Sequence, residues 1–259
     1  MKIGIVGFGF VGNAVAESHK DHKLVIRDPK LKKDSADINE IKTCDAIYVC
    51  VPTPMGVDGK CDDSYIRLVL EELTDYKGII ICKSTVPPSV YKELNLKYPN
   101  IVHSPEFLTA ANAVNDYLNT KWILIGGADE WTAKAEEIIK SSNTLAKEFV
   151  KTDIATAAFF KYLANSFLAT KVTFMNDMWQ LANQIGVDWE SIKSISNNDI
   201  RLGNTHWDVP GPDGKFGFGG ACFPKDVKAI ITEALDHNLD FDLLQNVISI
   251  NKKHRSKLE

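Results

Sequence analysis

Short apolar runs recur through the first ~150 residues with the spacing of strands: KIGIVG, KLVIRD, AIYVCV, GIIICKS, NIVHS, WILIGG and EFVKT. Polar or helix-forming stretches such as DDSYIRLVLEEL and EWTAKAEEIIKSSNTLA separate them. This alternation predicts β-α-β units, a mostly parallel sheet and helices on both of its faces. From about Thr152 the strand pattern stops. ATAAFFKYLANSFLATKVTFMNDMWQLANQIG reads as one long helix, DWESIKSIS as a shorter one, and KDVKAIITEALDHN and FDLLQNVISINKKHRSKL as two more. The chain is therefore expected to be α/β, with a parallel-sheet domain over residues 1–151 and an all-helical domain built on the long helix over 152–259. Between Arg201 and Phe223 it is rich in Gly and Pro, which predicts a loop.

Composition narrows the classes. The chain has 259 residues, of which 44% are hydrophobic and 25% charged, enough for two domains with their own cores. A formal net charge of -4 leaves no basic surplus for a phosphate backbone, so no nucleic-acid partner is expected. No apolar run approaches the ~20 residues of a spanning helix, and MKIGIVGFGF has no cleavage-site pattern, so a cytoplasmic, membrane-free protein is expected.

Cys44, Cys50, Cys61, Cys82 and Cys222 are odd in number and lack CxxC spacing, which argues against a disulfide framework and a zinc site; no metal is expected. Cys50 and Cys82 sit in apolar strand-like runs and read as small core residues. Cys44 and Cys61 lie in or near polar connections, with nothing around them to activate a thiol. Cys222 differs, because GKFGFGGACFPKD places it between a glycine-rich loop and the start of a helix.

Three groups of residues carry chemistry. Gly7-Phe8-Gly9-Phe10-Val11-Gly12 follows an apolar strand and precedes a helix, the setting in which GxGxxG turns tightly and brings a helix N-terminus to a pyrophosphate. Asp28, at the end of the second strand, suits the adenosine ribose and repels a 2′-phosphate, which favours NAD over NADP; Arg27, Lys30 and Lys33 weaken that preference. In the long helix, Lys161, Asn165 and Asn176 fall on one face among apolar neighbours, suggesting a buried helix with a narrow polar stripe. A snorkelling Lys161 is the plainer alternative. Finally, Pro224 suits the first helical position, so Cys222 would stand just before a helix N-terminus, where the dipole and Lys225 stabilise a thiolate. Gly219 and Gly220 would let a substrate approach the backbone, and Asp226 offers a carboxylate one turn on. A nicotinamide cofactor plus a nucleophilic cysteine suits the oxidation of an aldehyde through a thiohemiacetal and a thioester.

GFGFVG, VPTP, KSTVP, SPEFL, FFKYLANSFLATKVTFMND and VPGPDGKFGFGGACFPKD, in this order, make the chain resemble the UDP-glucose and nucleotide-sugar 6-dehydrogenases over nearly its whole length. The resemblance implies a Rossmann-type first domain, NAD as cofactor, oxidation of a sugar C6 alcohol to a carboxylate, and a homodimer through the long helix. It implies that Cys222 is the nucleophile, that Lys161 and Asp226 handle the proton and position water, and that Asn165 stabilises an oxyanion. Thr85 and Glu106 would line the catalytic centre, with Thr53 and Thr85 near the cofactor and Lys33 near its ribose. Glu106, Phe107, Leu108, Lys161, Asn165, Arg201, Phe218 and Gly219 would contact substrate, Arg201 across the dimer.

The sequence departs from that pattern in two places. Ala110 stands where the family usually has a further glutamate on the sugar nucleotide, and the chain stops where members continue into a third, nucleotide-holding domain; the expectation is a truncated form. A smaller sugar or sugar phosphate as substrate, or a non-catalytic NAD-binding or assembly homologue, are the alternatives.

Overall fold

Strand β1 (Lys2–Val6) pairs in parallel with β2 (Lys23–Arg27) on one side and β3 (Ala46–Val49) on the other, so the strand order reverses at β1. The sheet continues through β4 (Ile79–Cys82), β5 (Ile101–His103), β6 (Trp122–Gly126) and β7 (Glu148–Thr152), in the order β2-β1-β3-β4-β5-β6-β7. All neighbours are parallel except β5 and β6, which meet antiparallel at His103 and Gly126. The computed structural model describes residues 1–256. Lys257 and Leu258 of the predicted last helix, and Glu259 of the predicted second domain, lie outside the described residues.

The two-residue period of the strands builds two cores. On β3, Ile47 and Val49 join the cluster formed by α2 (Ile38–Lys42), α3 (Ser64–Glu72) and α4 (Pro88–Lys97), whereas Ala46 and Tyr48 join that formed by α1 (Phe10–Ser18), α5 (Ala113–Leu118) and α6 (Asp129–Lys140). On β4, Ile80 and Cys82 go to the first and Ile79 and Ile81 to the second. Both faces are covered, which is why these strands are apolar throughout and do not alternate with polar residues.

The strands end at Thr152, and α7 (Ile154–Gln184) begins at once. The chain divides into two compact units, Met1–Gly56 with Cys61–Lys161, and Val57–Lys60 with the chain from Tyr162 onward, so the division falls within α7. The second unit also holds α8 (Trp189–Ser196), α9 (Phe223–Asp236) and α10 (Asp242–Arg255). Part of its core is Met175, Ala182, Trp189 and Trp207.

Two expectations change here. The long helix is not buried all round: Ala157 and Ala158 are buried, but Phe159, Phe160, Leu163 and Phe167 are 41–63% exposed, because that side of α7 faces away from the core. Cys44, read as part of a polar connection, is buried, its Sγ lying 3.3 Å from where a Cβ on Gly4 would be.

Candidate active site

The glycine loop joins β1 to α1. Gly7 has φ +92°, and a Cβ there would lie 2.6 Å from the Cys50 carbonyl oxygen, so a side chain is excluded by conformation and by space. A Cβ on Gly12 would collide with the Gly7 carbonyl oxygen. At Gly9 a Cβ would meet nothing within 4 Å. Gly9 is the N-cap of α1, and no side chain caps the first N–H groups of that helix. Phe10 is exposed, Phe8 and Val11 half-buried. The Asp28 carboxylate receives hydrogen bonds from the N–H groups of Phe8 (2.6 Å) and Lys30 (2.8 Å), which ties the glycine loop to the end of β2. Lys33 is exposed in the short 3-10 helix Pro29–Asp34 that follows.

The loops at the C-terminal ends of β3, β4 and β5 assemble a second group in the same unit. Thr53 and Thr85 are buried, and Thr53 Oγ1 donates to the Thr85 carbonyl at 2.8 Å. Lys161 Nζ, 3% exposed, donates to the Glu106 carbonyl and lies 3.2 Å from Glu106 Oε2. This ion pair is buried on both sides, which excludes the snorkelling alternative. Glu106 Oε2 also accepts from the N–H of half-buried Leu108 at 3.1 Å. The Phe107 ring centroid is 5.1 Å from Lys161 Nζ. Lys83 is buried beside this pair, its Nζ donating to Ser104 Oγ at 3.2 Å and the Pro105 carbonyl at 3.5 Å. Burial lowers the Lys83 ammonium to about 8, and lowers His103 to about 3.

In the second unit, Cys222 is the N-cap of α9 and is half-buried. The helix starts at Phe223, so Pro224 takes its second position and not the first. One turn on, Asp226 is 1% exposed; its Oδ2 accepts from Asn165 Nδ2 at 2.6 Å and its Oδ1 pairs with Lys225. Lys225, expected to serve the thiolate, has its ammonium paired with the neighbouring Asp226 carboxylate. Before the cysteine, α7 and α10 grip the glycine loop. Asn176 Oδ1 accepts from Gly217 N–H at 2.9 Å, and Asn251 exchanges bonds of 2.7 and 2.9 Å with the N–H and carbonyl of buried Phe218. Gly219 faces Arg255, with a guanidinium nitrogen 2.6 Å from where a Cβ would sit. Arg201 stands apart from this group, exposed and paired with Asp199.

Lys83 and Asn251 were missed in the sequence. Lys83 carries the one usable signal, a charge directly after the apolar run GIIIC; Asn251 sits in a polar helix end that reads as surface. Among the described residues no group of His, Cys, Asp or Glu is placed to hold a metal ion, and no helix is long and apolar enough to cross a membrane.

The model of the UDP-glucose/GDP-mannose dehydrogenase family's NAD binding domain matches residues 24–143, and that of its central domain residues 155–253. A UDP-glucose 6-dehydrogenase of Rickettsia felis is 32% identical over 250 residues, covering 91% of this chain and 54% of its own length. The UDP-glucose 6-dehydrogenase TuaD of Bacillus subtilis is 33% identical, with 83% and 48% covered. The Bacillus subtilis protein YtcA is 30% identical, with 97% of this chain and 67% of its own length covered. The chain spans about half the length of the curated relatives it matches first. The solved structure of a UDP-glucose dehydrogenase from Pyrobaculum islandicum superposes with a TM-score of 0.81 at 24% identity, covering 97% of this chain and 68% of that one, a likeness of fold. With two of the family's domain models matched in order, the chain belongs to the UDP-glucose/GDP-mannose dehydrogenase family and carries its NAD binding domain and its central domain.

Proposed function

We propose that the chain oxidises the C6 alcohol of a sugar, borne on a nucleotide, to the carboxylate, with Cys222 as a covalent nucleophile. The observation that carries this reading is the placement of Cys222 at the N-cap of a 14-residue helix, with the buried Asp226 carboxylate one turn away and bonded to Asn165. A helix N-terminus favours a thiolate, and the thiolate is the reactive form.

The glycine loop and Asp28 fit a dinucleotide: the space at Gly9 admits a pyrophosphate against α1, and Asp28 accepts from ribose hydroxyls with the lone pairs that Phe8 and Lys30 leave unused. Thr53 and Thr85 border the same loops, and Lys33 lies past Asp28 on the ribose side. Bound there, NAD supplies the hydride acceptor for each oxidation. The remaining work falls to the chain. Asp226, held by Asn165, takes up the hydroxyl proton through water in the first oxidation, while the Lys161 ammonium, held by Glu106, stabilises the alkoxide that the proton leaves. The Cys222 thiolate then adds to the aldehyde carbon, giving a thiohemiacetal whose oxyanion the Asn165 amide and the Lys161 ammonium stabilise. Loss of the second hydride leaves a thioester. Water oriented by Asp226 attacks it, the C–S bond breaks, and the carboxylate leaves with the thiol restored. Phe107, Leu108, Phe218 and Gly219 contribute apolar and backbone surface for the sugar.

The test is NADH formation over a panel of UDP-sugars, GDP-sugars, sugar phosphates and free sugars. Two NADH per acid on a nucleotide sugar is the expected result. One NADH per sugar, or turnover of free sugars alone, rejects the four-electron reaction or its substrate class.

We further propose a homodimer through α7. Leu163, Phe167, Phe174, Leu181 and Ile185 are each more than half exposed, an apolar surface of the kind that self-association covers. Light scattering at micromolar concentration should give twice the chain mass. A monomer overturns the dimer and with it a cross-subunit role for Arg201.

A further inference from the structure

Lys83 follows β4 directly and, at 4% exposed, is nearly as buried as Lys161. Removing an ammonium from water costs several kcal/mol even after relaxation, and neither hydrogen-bond acceptor of Lys83 is a carboxylate. Lys83 holds the Pro105 carbonyl and Lys161 the next carbonyl, that of Glu106, so two ammonium groups grip consecutive peptides of one segment. The groups that face Lys83 are Cys50 just past β3, Cys82 on β4, His103 on β5, Tyr117 on α5, Glu106, and Lys161 on α7. Burial pushes the Cys50 and Cys82 thiols and the Tyr117 phenol up and keeps His103 neutral. The charges that remain are two ammoniums and one carboxylate, an excess of one positive charge.

We infer that Lys83 is a positioning residue for the Lys161–Glu106 pair: it fixes the Ser104–Pro105 segment that presents Glu106, and its charge biases the cluster toward an anion such as the alkoxide left when a sugar hydroxyl loses its proton. This rests on the function proposed above. Its signature is electrostatic. Lys83 is charged below about pH 8 and neutral above it, so the excess charge is present at neutral pH and fades as the pH rises.

The experiment compares Lys83→Met and Lys83→Arg in the full chain. Wild-type kcat should show an inflection near pH 8. Lys83→Met should lower kcat roughly tenfold with little change in the sugar KM, and the inflection should vanish. Lys83→Arg should restore most of the rate without the inflection, since a guanidinium stays charged. A Lys83→Met chain with wild-type rate and profile overturns the inference. So does a loss that Lys83→Arg leaves unrepaired alongside a lowered Tm, which makes Lys83 a packing residue. An activity-free arm follows the lysine 13Cε resonances: one should titrate near pH 8, disappear in Lys83→Met, and titrate lower in Glu106→Gln, where the carboxylate that favours the ammonium is gone. An unmoved midpoint in Glu106→Gln overturns the coupling. A wild-type chain inert on every sugar rejects the proposed function, while the resonance arm decides the Lys83–Glu106 coupling independently.

Discussion

Cys222→Ser should abolish turnover to the acid, by on the order of 10³-fold or more, while leaving NADH binding and the fold unchanged. The thiol stands at the N-cap of α9, where unpaired N–H groups and the helix dipole favour negative charge. A serine hydroxyl there stays protonated near neutral pH, adds slowly to an aldehyde, and forms an ester that hydrolyses slowly. The first oxidation does not need the nucleophile, so a single-turnover assay should still show a first hydride transfer. Iodoacetamide should label Cys222 faster than Cys82, whose thiol burial pushes up to about 11, and faster than half-buried Cys50, pushed higher still. Mass spectrometry of the GGACFPKD peptide, with substrate and NAD present, should reveal the covalent adduct. Undiminished acid production by Cys222→Ser, with an unreactive Cys222 in the wild type, would sink the thioester route and leave a simple alcohol dehydrogenase as the better account.

The second large effect is expected at the glycine loop, where two substitutions of equal size should behave oppositely. In Gly12→Ala the new methyl collides with the Gly7 carbonyl, and Gly7 cannot retreat: its N–H is bonded to the Arg27 carbonyl at 2.9 Å and its other side meets the Cys50 carbonyl. Overpacking of this kind costs about 1–3 kcal/mol. Relief requires α1 to shift, so Tm should drop by several degrees and NADH affinity should fall together with it. In Gly9→Ala the methyl meets no atom of the chain and φ is -78°, an ordinary value, so Tm should hold. It fills the space at the helix N-terminus, however, and NADH affinity should fall by roughly 10²-fold. Fluorescence titration of NADH with a thermal melt separates the two. Gly9→Ala with wild-type affinity would place the dinucleotide elsewhere.

What was legible in the sequence is what local physics dictates. Apolar runs too short for helices and too apolar for a one-sided sheet read as strands covered on both faces, and β1, β3, β4, β5 and β6 are buried in this way. GFGFVG could be read as a phosphate loop because its glycines answer backbone constraints set within a few residues. Cys222 at a helix start followed from Pro224 in the same way.

The partners of the buried charges were a different matter, because those are chosen by contacts between distant parts of the chain. Lys161 was suspected of being buried, yet its partner Glu106 lies 55 positions away and was assigned only by resemblance. Lys83, 21 positions from Ser104, was marked only by its charge after an apolar run, since strand β4 merely ends there until the loop after β5 folds over its ammonium. Lys225, read toward Cys222 three positions before it, pairs with the Asp226 carboxylate directly beside it. The exposed side of α7 belongs to the same class: composition showed that the helix is apolar nearly all round, and only packing decided which of those residues the core would take.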